Sequence, residues 1–276
     1  VTVHGVVTTG TILDRILERT AADVAARSAV LPASELEGRL AALPAPPSLI
    51  EAMARPGLSL IAEIKRGSPS KGRFPVEIDA PALAVEYAEG GTDAISVLTD
   101  EPFFQGSLDD MEAVVGAVAG RSRPVPVLRK DFLLDDYQLL EARTRGASAV
   151  LLIVSALEPA KLAELMAAAT ERGLETLVEV HDERELDVAV NAGAPLIGVN
   201  NRNLHDFVVD LAVSERLAAL KPAGTLMIGE SGIFTEADAR RMASAGMDGI
   251  LVGESLVVAE DRRAAIAALK RGSERV

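Results

Sequence analysis

The stretch AVLLIVSALEPAKLAELMAAATERGLETLVEV, residues 149–180, holds two short apolar runs separated by an Ala-rich segment of helical spacing. The runs are AVLLIV (149–154) and TLVEV (176–180). The helical segment covers 158–172 and is followed by Gly173. A strand, a helix and a strand in that order require a crossover connection, and so a parallel pair. Runs that are apolar throughout, rather than alternating, mean that both faces of the sheet are covered.

The same unit recurs in both directions. Upstream lie SLIAEI (59–64), AISVL (94–98) and PVLRK (126–130); downstream lie LIGVN (196–200), LMIGE (226–230) and GILVG (249–253). Helical spacing fills 81–89, 107–118, 135–145, 182–192, 235–245 and 261–270. Gly90, Gly146, Gly173, Gly193 and Gly246 follow helices, where glycine accepts the left-handed conformation that ends one. Eight such units fit a (β/α)8 TIM barrel of about 250 residues. A doubly wound open sheet is the competing architecture. Its Gly-rich turn is absent: the first strand runs into KRGSPSKG (65–72), neither GxGxxG nor a Walker loop. The expectation is an α/β chain of one domain, with a barrel over 58–276 and an N-terminal helical extension, 1–57, packed on it. In the extension, residues 11–29 look helical. Ile12, Ile16, Leu17, Val24 and Ala25 fall near one face, and Thr11 is a fitting N-cap. Ser34 and Glu37 suggest a capping box for a short second helix, and PAPPS (44–48) breaks the pattern.

Composition narrows the function. The 276 residues are 49% hydrophobic and 25% charged, a globular balance without a disorder signature. Aromatics are 3% with no Trp, so the core must be aliphatic. There is no Cys, which excludes disulfides and thiolate chemistry. His4, His181 and His205 are isolated, so no metal set is readable. No uncharged apolar run approaches the roughly 18 residues of a spanning helix. No secretory signal pattern is readable either, so a cytoplasmic protein is expected. Net charge is −13 and the pI about 4.8. That excludes nucleic-acid binding through a general basic field. An anionic ligand would need positive charge gathered at one site.

Barrel active sites form at the C-terminal ends of the strands. Those ends carry Glu63 and Lys65; Thr99, Asp100 and Glu101; Arg129, Lys130 and Asp131; Ser155; Glu179 and His181; Asn200, Asn201 and Arg202; Glu230 and Ser231; and Gly253, Glu254 and Ser255. Burying charges there costs several kcal/mol unless they pair. A barrel with structural duties alone would use Val or Ile, so Glu63, Lys65, Lys130 and Glu179 together read as functional. Asp131 reads as a turn cap. His181, two residues after Glu179, reads as a surface or supporting residue. GESGI (229–233) and VGESL (252–256) place Gly and Ser directly after strands. Backbone N–H groups there can bind phosphate, whereas the plainer alternative is a Ser helix cap.

The motifs IAEIKRGSPSKG (61–72), FFQGSLDD (103–110), PVLRKDF (126–132), LVEVH (177–181), GVNNRNL (198–204), GESGI and VGESL, in that order, resemble the indole-3-glycerol-phosphate synthase family. The resemblance spans about residues 11–270 and includes the helical extension. It implies a carboxy-lyase of tryptophan biosynthesis that uses no metal or organic cofactor. 1-(2-Carboxyphenylamino)-1-deoxyribulose 5-phosphate would close its ring, lose CO2 and lose water. By similarity Lys130 protonates the ketone oxygen and Glu179 is the base. Lys65 holds the substrate carboxylate or phosphate, or supplies a proton in dehydration. Glu63 positions the lysines or a substrate hydroxyl, Asn200 hydrogen-bonds the substrate, and Glu230 lies across the mouth. Ser231, Gly232, Gly253 and Ser255 match the phosphate cradle, with Arg202 near it. Phe104 and Phe132, helped by Leu133, would wall the aromatic ring, and Ser68 would touch substrate. Gly67 departs from the family pattern, in which Lys or Ala can stand there, and is expected to loosen the first loop or to remove one charge. The expected partner is one small substrate carrying phosphate and carboxylate. No nucleic acid, membrane or fused second barrel is expected, and the chain is expected to be a monomer. The competing readings are a phosphoribosylanthranilate isomerase, a Schiff-base aldolase using Lys65 or Lys130, and a non-catalytic anion-binding barrel.

Overall fold

The computed structural model describes residues 4–69, 71–203 and 206–272; Ser70, Leu204 and His205 lie outside them. Eight parallel strands form a closed barrel: β1 (Ser59–Ile64), β2 (Ala94–Leu98), β3 (Val127–Lys130), β4 (Ala149–Ile153), β5 (Glu175–Val180), β6 (Leu196–Asn200), β7 (Leu226–Glu230) and β8 (Gly249–Val252). Each pairs with its successor, and β8 returns to β1 with Gly249 opposite Ser59 and Val252 opposite Ala62. Closure leaves no open sheet edge. The expected TIM barrel is therefore present, with every strand within one residue of its expected bounds.

The helices are α1 (Ile12–Val30), α2 (Ala33–Leu40), α3 (Leu49–Met53), α4 (Ala80–Gly90), α5 (Glu101–Phe104), α6 (Leu108–Val118), α7 (Asp136–Thr144), α8 (Pro159–Glu171), α9 (Glu183–Asn191), α10 (Ala212–Ala218), α11 (Glu236–Ala245), α12 (Glu254–Val257) and α13 (Arg262–Arg271). Thr11 caps α1, its side chain accepting from the Leu13 N–H. The expected capping box at Ser34 and Glu37 is not formed. Both residues lie inside α2, which starts after Pro32 (φ −61°, ψ 148°) without a side-chain cap. Proline's fixed φ prepares that start. After α4 it is Gly91 (φ 92°), not Gly90, that turns left-handed. Gly90 closes the helix, and a Cβ there would lie 2.8 Å from Ile266 Cδ1 on α13. On α1, Ala25 is exposed, whereas Leu13 and Ala21 are buried beside Ile16, Leu17 and Val24.

The extension touches both ends of the barrel. Near α3, Ser48 Oγ donates to Glu175 Oε1 (2.6 Å) and the Ile50 N–H to Glu175 Oε2 (2.8 Å), at the start of β5. At its other end, Ser59 Oγ, at the start of β1, donates to the Ala52 and Met53 carbonyls. Strands β1 and β5 are opposite in an eight-strand ring, so α3 crosses the floor. Leu49, Ala52 and Met53 are fully buried there. Fully burying a Leu or Met side chain contributes about 1.5–3 kcal/mol. Helix α1 lies at the other end. Arg27 reaches Glu141 of α7 through Nε and Nη2 (2.6 and 3.0 Å). Also at the floor, Asp93 Oδ2 accepts from the Leu60 N–H (2.8 Å) and Lys270 Nζ (2.6 Å), while Oδ1 meets Arg123 and faces Arg55 Nη1 at 3.6 Å.

Register decides which side chains point inward, because paired residues of parallel neighbours share a face. Leu98 is opposite Lys130, Ile153 opposite Glu179, Glu179 opposite Gly198, and Asn200 opposite Glu230. Lys130, Glu179, Asn200 and Glu230 thus converge at the C-terminal mouth. Arg129, one residue before Lys130, faces the helix layer. It is fully buried and bonds the Gln138 carbonyl (2.7 Å), Glu141 (3.4 Å), Thr99 (3.1 Å) and Asp131 (2.9 Å).

Candidate active site

Lys130 is the centre of the mouth. Its Nζ donates to Glu230 Oε2 at 2.6 Å and to Glu179 Oε2 at 3.3 Å. Asn200 Nδ2 donates to Glu179 Oε1 (3.1 Å), and Asn200 Oδ1 accepts from the Arg202 N–H (3.0 Å). Asn200 therefore fixes the Glu179 carboxylate. On β1, Lys65 Nζ pairs with Glu63 Oε1 at 2.8 Å. His181 is buried behind Glu179. Its Nδ1 is 2.9 Å from Glu185 Oε2, and its Nε2 is 3.4 Å from Glu179 Oε1.

Two glycines make this crowding possible. A Cβ at Gly198 would lie 2.0 Å from Glu230 Oε1, and one at Gly253 would lie 2.6 Å from Glu63 Oε1. On the side where a Cβ would stand, Gly253 is thus taken up by a carboxylate. Asp131 does not contact Lys130: its Oδ1 accepts from the Phe132 N–H and its Oδ2 binds Arg129 and Thr99. The turn-cap reading of Asp131 is correct, with a salt bridge added.

The charges set one another. Burial alone would lower the Lys130 pKa, but Glu230, Glu179 and Glu63 raise it well above the usual lysine value. Lys130 is an ammonium at neutral pH, which disfavours a Schiff-base amine. Burial pushes Glu230 up to about 7, with Glu179 and Glu63 adding to the rise and Lys130 opposing it. Burial acts upward on Glu179 too, but Lys130, His181 and Asn200 outweigh it and hold that carboxylate below its ordinary range. One ammonium thus contacts two carboxylates whose pKa values are driven apart, a pattern that separates acid from base.

All the expected site residues except Leu133 line one pocket at the mouth. Leu133 is only 2% exposed and packs in the core, because the turn that follows Asp131 directs it away from the opening. The Phe104 and Phe132 rings stand 6.0 Å apart, tilted by 37°. Sequence reasoning missed the apolar wall from α1, namely Ile12, Leu13 and Ile16, and also Phe207 and Phe234. The signal for α1 was available: Ile12, Leu13, Ile16 and Leu17 are too many apolar positions for one narrow stripe. At the phosphate-like end, Ser231 (φ 65°) and Gly232 (φ 80°) are both left-handed. Gly67 tightens the first loop rather than loosening it. It pairs with Arg73 in a short antiparallel ladder, and a Cβ there would lie 2.6 Å from the Gly72 carbonyl oxygen. Beyond it, Lys71 Nζ reaches Glu254 Oε1 (2.5 Å) and sits 5.9 Å from the centre of the Phe234 ring.

Comparison with known proteins bears on the fold and on the family. The 3-hexulose-6-phosphate synthase from Salmonella typhimurium superposes with a TM-score of 0.61 at 14% identity, over 78% of this chain and 98% of that one, a likeness of fold alone. The indole-3-glycerol phosphate synthase of Mycolicibacterium gilvum (strain PYR-GCK) is 48% identical over 259 residues, 94% of this chain and 93% of its own length. That of Roseiflexus sp. (strain RS-1) is 46% identical over 267 residues, 95% and 99% of the two chains. The family profile for indole-3-glycerol phosphate synthase matches residues 13–269, so the chain belongs to the indole-3-glycerol phosphate synthase family.

Proposed function

We propose that the mouth closes the indole ring of 1-(2-carboxyphenylamino)-1-deoxyribulose 5-phosphate, releasing CO2 and water to give indole-3-glycerol phosphate. The observation that carries this reading is the Lys130 ammonium, buried and held between Glu230 and Glu179. In the first step the ring carbon bearing the carboxylate attacks the ketone carbon. A C–C bond forms and the ketone oxygen takes the Lys130 proton. A preorganised ammonium in a water-poor site is well suited to charge that develops on that oxygen. Loss of CO2 then returns its bonding electrons to the ring system. Glu179, kept ionised, takes a proton from the methylene carbon beside the nitrogen, and the C–O bond at the former ketone carbon breaks as the hydroxyl leaves as water with a proton from Lys65. Glu63 holds Lys65 at 2.8 Å. Glu230, near neutrality in pKa, can return a proton to Lys130.

Ser231, Gly232, Gly253 and Ser255 would hold the phosphate with Arg202, and Asn200 and Ser68 would meet the sugar chain. Phe104 and Phe132 would wall the aromatic ring. A net charge of −13 makes concentrated lysines the means of attracting a substrate that carries both a phosphate and a carboxylate. We read the chain as a cytoplasmic monomer whose extension and barrel fold as one unit, without cofactor, nucleic-acid or membrane partners. Among the described residues no helix is long and apolar enough to cross a membrane.

The test is to add the substrate and follow indole fluorescence, with Lys130→Met and Glu179→Gln alongside. The expected result is a signal in the unmodified protein that falls about a hundredfold or more in both variants. Tight substrate binding with no signal would overturn the reading.

A further inference from the structure

His181 is left over from the reaction just described, yet it is built into the site. It stands two residues beyond Glu179, just past the end of β5, and is only 13% exposed. Glu185, at the third position of α9, holds it twice: Glu185 Oε2 accepts from the His181 backbone N–H (2.8 Å) and lies 2.9 Å from Nδ1. A carboxylate at Nδ1 fixes a proton there. The other nitrogen, Nε2, is then aimed at Glu179 Oε1 at 3.4 Å and is buried with no hydrogen-bond partner among the described residues.

Resting on the role given to Glu179 above, we propose that His181, clamped by Glu185, is a positioning residue: as an imidazolium it holds the base Glu179 ionised and turned toward the substrate. The charges around it favour this. Glu185 faces it from α9, Glu179 from its own strand, and Glu230 from β7. Lys130 from β3 meets Glu179 Oε2, and Asn200 from β6 donates to Glu179 Oε1, the oxygen that His181 Nε2 also faces. The Val154–Ala156 turn, which packs against both β5 and α9, has no titratable side chain. Without His181 one ammonium would have to balance two buried carboxylates.

When the imidazole is neutral, its remaining proton stays on Nδ1 and a lone pair on Nε2 confronts Glu179 Oε1. Two acceptors then face each other, so Glu179 must turn away. Burial lowers the His181 pKa, but the bond to Glu185 and the charges of Glu179, Glu185 and Glu230 raise it above the ordinary histidine value. The sign follows. The imidazolium outlasts that of an ordinary histidine as the pH rises and is then lost, so activity acquires an alkaline limb that belongs to His181.

The experiment couples a pH profile to a direct titration. The chain has three histidines, so the imidazole NMR signal of His181 is assigned by its disappearance in His181→Gln. Glu185→Gln is expected to lower the His181 pKa by about one unit and to move the alkaline limb of kcat/KM with it. His181→Gln keeps a donor but does not titrate. It is expected to erase the limb and lower kcat about tenfold while KM stays within about twofold. A limb that stays in place in both variants, or a His181 signal that titrates independently of it, would overturn the proposal. Should His181→Gln fail to fold, the His181 signal is the one that remains when His4 and His205 are replaced by Gln, and the Glu185→Gln titration and profile decide. Glu179→Gln separates the two layers. Full activity in that variant removes the base assignment itself, whereas an inactive Glu179→Gln together with a limb that stays in place in Glu185→Gln and His181→Gln removes only the role of His181.

Discussion

Asp93 at the floor and Glu230 at the mouth are both almost wholly buried, at 2% and 1% exposed, but their surroundings differ in kind. Asp93 receives a backbone N–H, a lysine and an arginine, with a second arginine near. Glu230 shares one ammonium with Glu179, and its Oε1 has no hydrogen-bond partner among the described residues. A carboxylate with donors in excess is a brace. One with too few is held ready for something that arrives later. The barrel uses the same side-chain chemistry for both ends, and the count of donors tells them apart.

The largest effect that would sharpen this contrast is at the mouth. Lys130→Met is expected to lower kcat/KM about a thousandfold, about 4 kcal/mol of transition-state stabilisation. The thermal midpoint should stay close to the parent, because Glu230 can take up a proton in place of the lost cation; differential scanning calorimetry beside the kinetics checks both. Asp93→Asn is the converse. It should cost about 2–3 kcal/mol in urea unfolding, by leaving Lys270 and Arg123 short of an anion, with kcat of the folded protein unchanged.

Third comes pH. Glu230 is raised from 4.5 to about 7 in the fold. Between those values the native state binds more protons than the unfolded chain, so this group makes stability fall as pH rises. Glu230→Gln should remove that part of the slope, so its stability relative to the parent improves from pH 5 to pH 7.5 in urea melts. An unchanged difference would mean that the mouth is as well satisfied as the floor. The smallest effect belongs to neither end: Arg240→Ala breaks an exposed pair with Glu236 and should shift stability by less than about 0.5 kcal/mol.

The eight strands were legible because each is a short apolar run bounded by polar or glycine residues, and a parallel barrel buries both faces of every one. Helix α10 was not legible: Ala212–Ala218 is only seven residues long, too short for its periodicity to stand out. Helices α5 and α12, of four residues each, escaped for the same reason. In the site, charged residues at strand ends were readable because charge there is costly. Leu133 was misread because a residue beside a mouth aromatic need not face the mouth. The wall from α1 depends on how the extension docks, which no local pattern in the barrel reveals. His181 was seen, but its contacts with Glu185, four residues on and on another element, were not legible.

Gly198 and Gly253 carry a lesson about how such a site would be surveyed. Alanine scanning treats alanine as the residue from which something has been taken away. At these two positions alanine is the larger residue, and its methyl group would occupy the space now held by the Glu230 or Glu63 carboxylate. The same substitution that deletes a function elsewhere would here be an insertion. An inventory of catalytic groups made from side chains alone would omit two positions whose contribution is an atom that is not there.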